Sequence, residues 1–154
     1  MKNCIRVFVF ISAMIFSFSL CSCGSGTDAL GIVKNVSENF DFKYGAIYSD
    51  EYEVWNEHCF SPDMRKVVFG ENAEKYTYIK SVSGYFSRDM VSGEEFIAIE
   101  ISDRSHRTEI SAALYRRAAM KLDTETRVLC RGNFVFFICG EKADEIGEYV
   151  SRLV

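Results

Sequence analysis

Up to residue 70 the apolar positions of the chain recur at helical spacing. Thr27 or Asp28 can cap a first helix whose Ala29, Ile32, Val33, Val36 and Phe40 share one face, and Asp41-Phe42-Lys43-Tyr44-Gly45 ends it. A second helix is predicted over residues 49–58, capped by Ser49, with Tyr52, Trp55 and Cys59 turned inward. Ser61-Pro62-Asp63 opens a third, the proline at its first helical position, with Met64, Val67 and Val68 inward and a stop at Gly70. Beyond it the period shortens. Tyr76, Tyr78, Ile79, Val82, Tyr85 and Phe86 are strand formers, with Gly84 marking a bulge or turn. From Glu95 to Ile101, Ile97, Ile99 and Ile101 alternate with Phe96, Ala98 and Glu100.

Asp103 or Ser105 starts the longest helix, with Ile110, Ala113, Leu114, Ala118 and Leu122 on one side and His106, Arg107, Arg116, Arg117 and Lys121 on the other. Arg127 to Cys139 is predicted to be a hairpin turning at Gly132-Asn133, glycine first as a type II′ turn requires. That turn sets the register: Arg131 opposite Phe134, Cys130 opposite Val135, Val128 opposite Phe137 and Thr126 opposite Cys139. Phe134, Phe136 and Ile138 are apolar on the second face as well, which predicts a central strand covered on both sides. A terminal helix from Lys142 to Val154 turns Ile146, Tyr149, Val150 and Leu153 inward. The fold class predicted is α+β, a small antiparallel sheet of three to four strands with helices packed on one face.

The first 22 residues follow another logic. Lys2 and Arg6 precede an uncharged stretch from Val7 to Leu20, the pattern of an export signal. At ~1.5 Å per residue this stretch reaches roughly 21 Å, short of the ~30 Å hydrocarbon core of a bilayer, so a cleaved leader is expected rather than a spanning helix. Leu20-Cys21-Ser22-Cys23 resembles the bacterial lipoprotein signal, an aliphatic residue three before a cysteine with small residues between. By that resemblance Cys23 is acylated with palmitate-type chains and becomes the new N-terminus. Each buried acyl CH₂ adds ~0.8 kcal/mol, and two or more chains hold a protein stably to a membrane. The organisation expected is a signal peptide at 1–22, a flexible tether at 23–27 containing Gly24-Ser25-Gly26, and one α+β domain at 28–154, on the extracytoplasmic face of the cell membrane.

The chain has 154 residues and a formal charge of −4, with 26% charged and 48% hydrophobic positions. Since the leader holds Lys2 and Arg6 and no acid, the mature part is more acidic still, and it has no basic block of the kind that grips a nucleic-acid backbone. With Cys4 and Cys21 cleaved and Cys23 acylated, Cys59, Cys130 and Cys139 remain, an odd number that allows at most one disulfide. Cys130 and Cys139 lie too far apart along the hairpin to pair with each other, so a bridge would join Cys59 to one of them. No Cys-x-x-Cys pair follows residue 23, which excludes zinc-knuckle and thioredoxin-type sites, and no metal or cofactor is expected.

The lipoprotein signal, the early amphipathic helix, Glu94-Glu95-Phe96-Ile97-Ala98-Ile99-Glu100-Ile101, the long helix and Gly132-Asn133-Phe134-Val135-Phe136-Phe137-Ile138 with its terminal helix together resemble an uncharacterised bacterial lipoprotein family, domain of unknown function 4358, found mostly in Gram-positive anaerobes. The resemblance spans roughly residues 20–154. It implies surface anchoring and brings no established activity, cofactor or catalytic residue. Between Leu122 and Arg127 this chain is shorter than the family pattern, which carries an aromatic and proline-bearing loop there.

Candidate chemistry is sparse. Tyr44, Tyr52 and Trp55 offer aromatic rings with polar tips, suited to a protein, peptide or wall component of the envelope, unless they fill the core. Glu100, Asp103 and His106 lie at a strand-to-helix junction where they could act as acid and base in an envelope hydrolase, although Asp103 is also a plain helix cap. Glu94-Glu95 reads as a solvated strand entry. Glu57-His58-Cys59 are neighbours in sequence and would not face one another on a helix, so a thiol site would need His106 to approach Cys59. Glycine-rich phosphate loops, Gly-x-Ser-x-Gly and His-Glu-x-x-His are absent from the sequence. The function expected is a non-catalytic, lipid-anchored binding module at the cell envelope.

Overall fold

A computed structural model describes residues 28–42, 44–88, 93–122 and 124–154. The predicted leader, Cys23 and the tether lie outside the described residues. Among the described residues the α-helices and strands follow in the order α1 (Ala29–Asn39), β1 (Gly45–Ser49), α2 (Pro62–Phe69), β2 (Ile79–Ser87), β3 (Glu95–Ile101), α3 (Arg107–Ala118), β4 (Thr126–Arg131), β5 (Phe134–Cys139) and α4 (Ala143–Leu153), with single 3-10 turns at Ala73–Lys75 and Arg104–His106.

The strands form one five-stranded sheet, antiparallel throughout, in the order β1-β2-β3-β5-β4. The α+β class is as expected, but the sheet is larger than three to four strands. It carries helices on both faces rather than one, because its central strands are apolar on both sides. Ile97, Ile99, Val135 and Phe137 pack beneath α2 and α3 with Val68, Phe69, Ile110 and Leu114. Phe96, Ala98, Phe136 and Ile138 pack beneath α1 and α4 with Ile32, Val33, Ile146 and Val150.

Local chemistry sets the helix ends. Asp28 caps α1, its Oδ1 accepting from the Gly31 N–H at 2.6 Å, and Asp41 in the left-handed region (φ 54°) ends the run. Ser61 caps α2 by accepting from the Met64 N–H at 3.2 Å, with Pro62 at the first helical position. Val67, predicted inward, is half-exposed, and Phe69 fills the core in its stead.

The β4–β5 hairpin has the register set by its turn, including Cys130 opposite Val135 and Thr126 opposite Cys139. Gly132 has positive φ and Asn133 does not, as a type II′ turn demands. Arg104 Nε donates to Asn133 Oδ1 at 2.9 Å and Arg107 to the Gly132 carbonyl, so the start of α3 clasps this turn. β2 runs unbroken through Gly84, where a side chain would collide with Phe86 and Ile97, and its irregularity lies between Ile79 and Ser81 instead.

The predicted helix over 49–58 is a strand end followed by a turn-rich loop. Ser49 finishes β1, is buried, and exchanges a hydroxyl hydrogen bond with Ser83 at 2.8 Å. Its Oγ accepts from the Glu51 N–H, while Asn56 Oδ1 accepts from the His58 N–H. Such side-chain-to-backbone bonds compete with helix formation and win here.

Candidate functional site

The loop between β1 and α2 is tied at its base and displays its tip. The Ser49 N–H donates to the His58 carbonyl at 3.1 Å and the Phe60 N–H to the Ser49 carbonyl at 2.9 Å, closing the loop, and turns at Tyr52, Asn56 and Cys59 brace it internally. At the tip Val54 is 90% and Trp55 84% exposed, while Tyr52 is half-buried. Trp55 therefore does not turn inward. Tyr44, 76% exposed, precedes β1, and its carbonyl accepts from the Arg88 N–H at 2.9 Å.

Between this loop, the edge of β1 and α2 lies a cavity of about 470 Å³. Tyr48, Met64 and Phe86 give it apolar walls, and His58, Ser87 and Arg88 give it polar ones. Tyr48 packs edge-on against both His58 and Phe86, at centroid distances of 5.3 and 5.7 Å. His58 Nε2 lies 3.7 Å from Glu57, and its Nδ1 is buried with no hydrogen-bond partner among the described residues. Sequence reasoning missed the cavity because it placed a helix over 49–58, which hides that Tyr48 and His58 share a corner. Volume and mixed lining match sites that take small molecules or the side chains of a partner.

Of the acid–histidine set, Asp103 and His106 lie within electrostatic reach of each other, and Glu100 is turned away from them. Glu100 points to the face opposite Ile101 and is engaged by Lys80 at 2.7 Å and Ser81 at 3.4 Å. Asp103 accepts from the Ser105 N–H at 2.8 Å, and that backbone bond holds its carboxyl below the usual range. His106 stacks on Tyr78 with centroids 3.7 Å apart, on the Ile101 side. Tyr78 in turn donates to Glu109 at 2.7 Å; burial, then this bond, raises its phenol.

The chemically densest cluster stands where solvent was expected. Glu95 is 1% and Arg117 4% exposed, and the Lys121 side chain is buried with them. Arg117 grips Glu95 through two nitrogens, Nη2 to Oε2 at 2.7 Å and Nε to Oε1, while Lys121 Nζ reaches Oε2 at 2.7 Å. Arg117 Nη1 donates to the Val67 carbonyl at 2.8 Å, tying α3 to α2. Beside the triad, burial pushes the Cys139 thiol up to about 11. Ile110, Leu114, Arg117 and Lys121 follow the spacing of one helical stripe, the signal that could have revealed this cluster.

Cys59, Cys130 and Cys139 are all free, so neither candidate disulfide forms. Cys59 joins Ser49 in an isolated parallel bridge, and His106 sits against Tyr78 rather than against it. Among the described residues no group of His, Cys, Asp or Glu has the geometry of a metal site, and no helix is long and apolar enough to cross a membrane. No protein-family model, curated protein or solved structure matches the chain.

Proposed function

We propose that this chain is a lipid-anchored binding module of the cell envelope, tethered through Cys23 on the extracytoplasmic face and related to the lipoprotein family named above. It captures a protein, peptide or wall-derived partner beside β1. The observation that carries this reading is the cavity of about 470 Å³, walled by Tyr48, Met64 and Phe86 and flanked by a loop that holds Trp55 in the open. A braced loop loses little entropy on binding, so an exposed aromatic on it is a pre-organised anchor. His58 and Arg88 line the cavity and supply its polar contacts at the same place. Capture needs no reacting groups, and the buried cluster of Glu95, Arg117 and Lys121 is consumed by internal pairing.

Two measurements test the reading separately. For the anchor, palmitate labelling and membrane fractionation of Cys23→Ala should show loss of both lipid and membrane association; a variant that stays membrane-bound without lipid contradicts it. For the binding site, a photocrosslinking residue in place of Trp55, read in intact cells, should give a discrete adduct that Arg88→Glu diminishes. An adduct pattern indifferent to Arg88→Glu contradicts capture at this cavity.

A further inference from the structure

At the opposite border of the sheet, β4 has a neighbour, β5, on one side alone. The hairpin register fixes where its backbone groups point. The Gly140 N–H donates to the Glu125 carbonyl and the Ile101 N–H to the Asn133 carbonyl, so the odd-numbered residues of β4 bond to β5. The amides and carbonyls of Thr126, Val128 and Cys130 therefore face outward along a free edge. Among the described residues one bond reaches them, from Arg131 Nη1 to the Cys130 carbonyl at 3.2 Å.

Alongside this edge, between β4 and α4, runs a cleft of about 530 Å³. Leu129 and Gly147 give it apolar lining, and Arg127, Arg131 and Arg152 line it as well. Asp144 and Glu148 line it too, and Asp144 is taken by Arg127. Neither Arg131 nor Arg152 has a carboxylate within ion-pair distance among the described residues, whereas Arg127 is paired with Asp144 and Glu125, so the positive charge open to a ligand lies at Arg131 and Arg152. A free strand edge beside such a groove is the arrangement used by domains that bind an extended peptide as an added strand.

We propose that the β4 edge takes an extended acidic segment of a partner protein as a sixth, antiparallel strand, with the pattern acid-x-apolar-x-acid. Side chains two apart along a strand share a face, so the two acids fall opposite Arg127 and Arg131 and the apolar residue opposite Leu129. Antiparallel pairing of β4 with a second copy in the register that sets Leu129 opposite Leu129 places Arg127 opposite Arg131, like charge against like. The site is separate from the β1 cavity and stands or falls independently of the function proposed there.

The test uses the full chain in a non-ionic detergent and a synthetic peptide, acetyl-Thr-Glu-Thr-Val-Thr-Glu-Thr-amide, with binding measured by calorimetry. Binding that weakens with salt, falls about tenfold in Arg131→Glu and is lost when both glutamates become lysines supports the proposal. Backbone methylation separates strand addition from simple charge attraction. Methylating the third and fifth amides, which an antiparallel partner directs at β4, should abolish binding; methylating the fourth should not. No binding, or binding indifferent to which amide is methylated, overturns the proposal. So does binding of the chain to phosphatidylglycerol vesicles that Arg131→Glu removes while the peptide fails to bind, which would assign the cleft to lipid headgroups.

Discussion

Two groups of charged side chains show opposite uses of the same chemistry. Glu95, Arg117 and Lys121 lie sealed between the sheet and α3, and every one of them has an ionic partner within the group. Arg127, Arg131 and Arg152 line an open cleft, and two of the three have no acidic partner among the described residues. Desolvated charge is costly unless paired, so the buried triad must be complete within the fold. Charge in solvent carries no such demand and can stay uncompensated until a partner arrives. Pairing, more than residue type, separates groups that hold the fold from groups open to a ligand.

Breaking the buried triad is the largest effect expected. Glu95→Gln removes the carboxylate that Arg117 and Lys121 share in the buried cluster and should cost about 3–5 kcal/mol in urea unfolding. Replacing all three together, as Glu95→Leu with Arg117→Met and Lys121→Met, should be near neutral or stabilising, since the desolvation cost vanishes with the charges. If the triple variant is as unstable as the single one, the cluster is not held by mutual pairing. On the open side, Arg131→Glu should change stability by no more than about 0.5 kcal/mol, the range of surface substitutions, while reversing the charge of the cleft.

A smaller effect is set by pH beside the triad. Burial raises the folded Cys139 thiol from 9.0 to about 11, so between those values the unfolded chain loses its proton and the folded one keeps it. Stability should fall as pH rises through that window, and Cys139→Ala should flatten the fall in urea midpoints measured across it. The same protonated, buried thiol should react with iodoacetamide more slowly in the folded protein than after unfolding.

The legible part of the sequence was local. Gly132-Asn133 dictates a two-residue turn, and the turn alone sets six pairings of the hairpin. Asp28 and Ser61 cap helices through bonds that reach only three residues onward, and the apolar stripe of α1 is as its periodicity predicts. The missed parts were decided at long range. β1 is five residues long and stands at an edge, and its Ser49 belongs to a strand because Ser83 and the His58 carbonyl meet it, contacts no local window contains. Glu95 was misread as solvated because its partners lie 22 and 26 positions away, on a helix face otherwise marked by Ile110 and Leu114. The candidate site shared that fate: the aromatic residues were visible in sequence, whereas the corner that Tyr48, His58 and Arg88 build was not, since three separate segments supply it.

The function proposed rests on where the chain is held, and its mature N-terminus reports that directly. Intact-mass and peptide mass spectrometry of the protein purified from membranes should find Cys23 as the first residue, carrying a thioether-linked diacylglycerol, with residues 1–22 gone. Recovery of the unprocessed chain, Met1 still present and Cys23 a free thiol, would contradict the account.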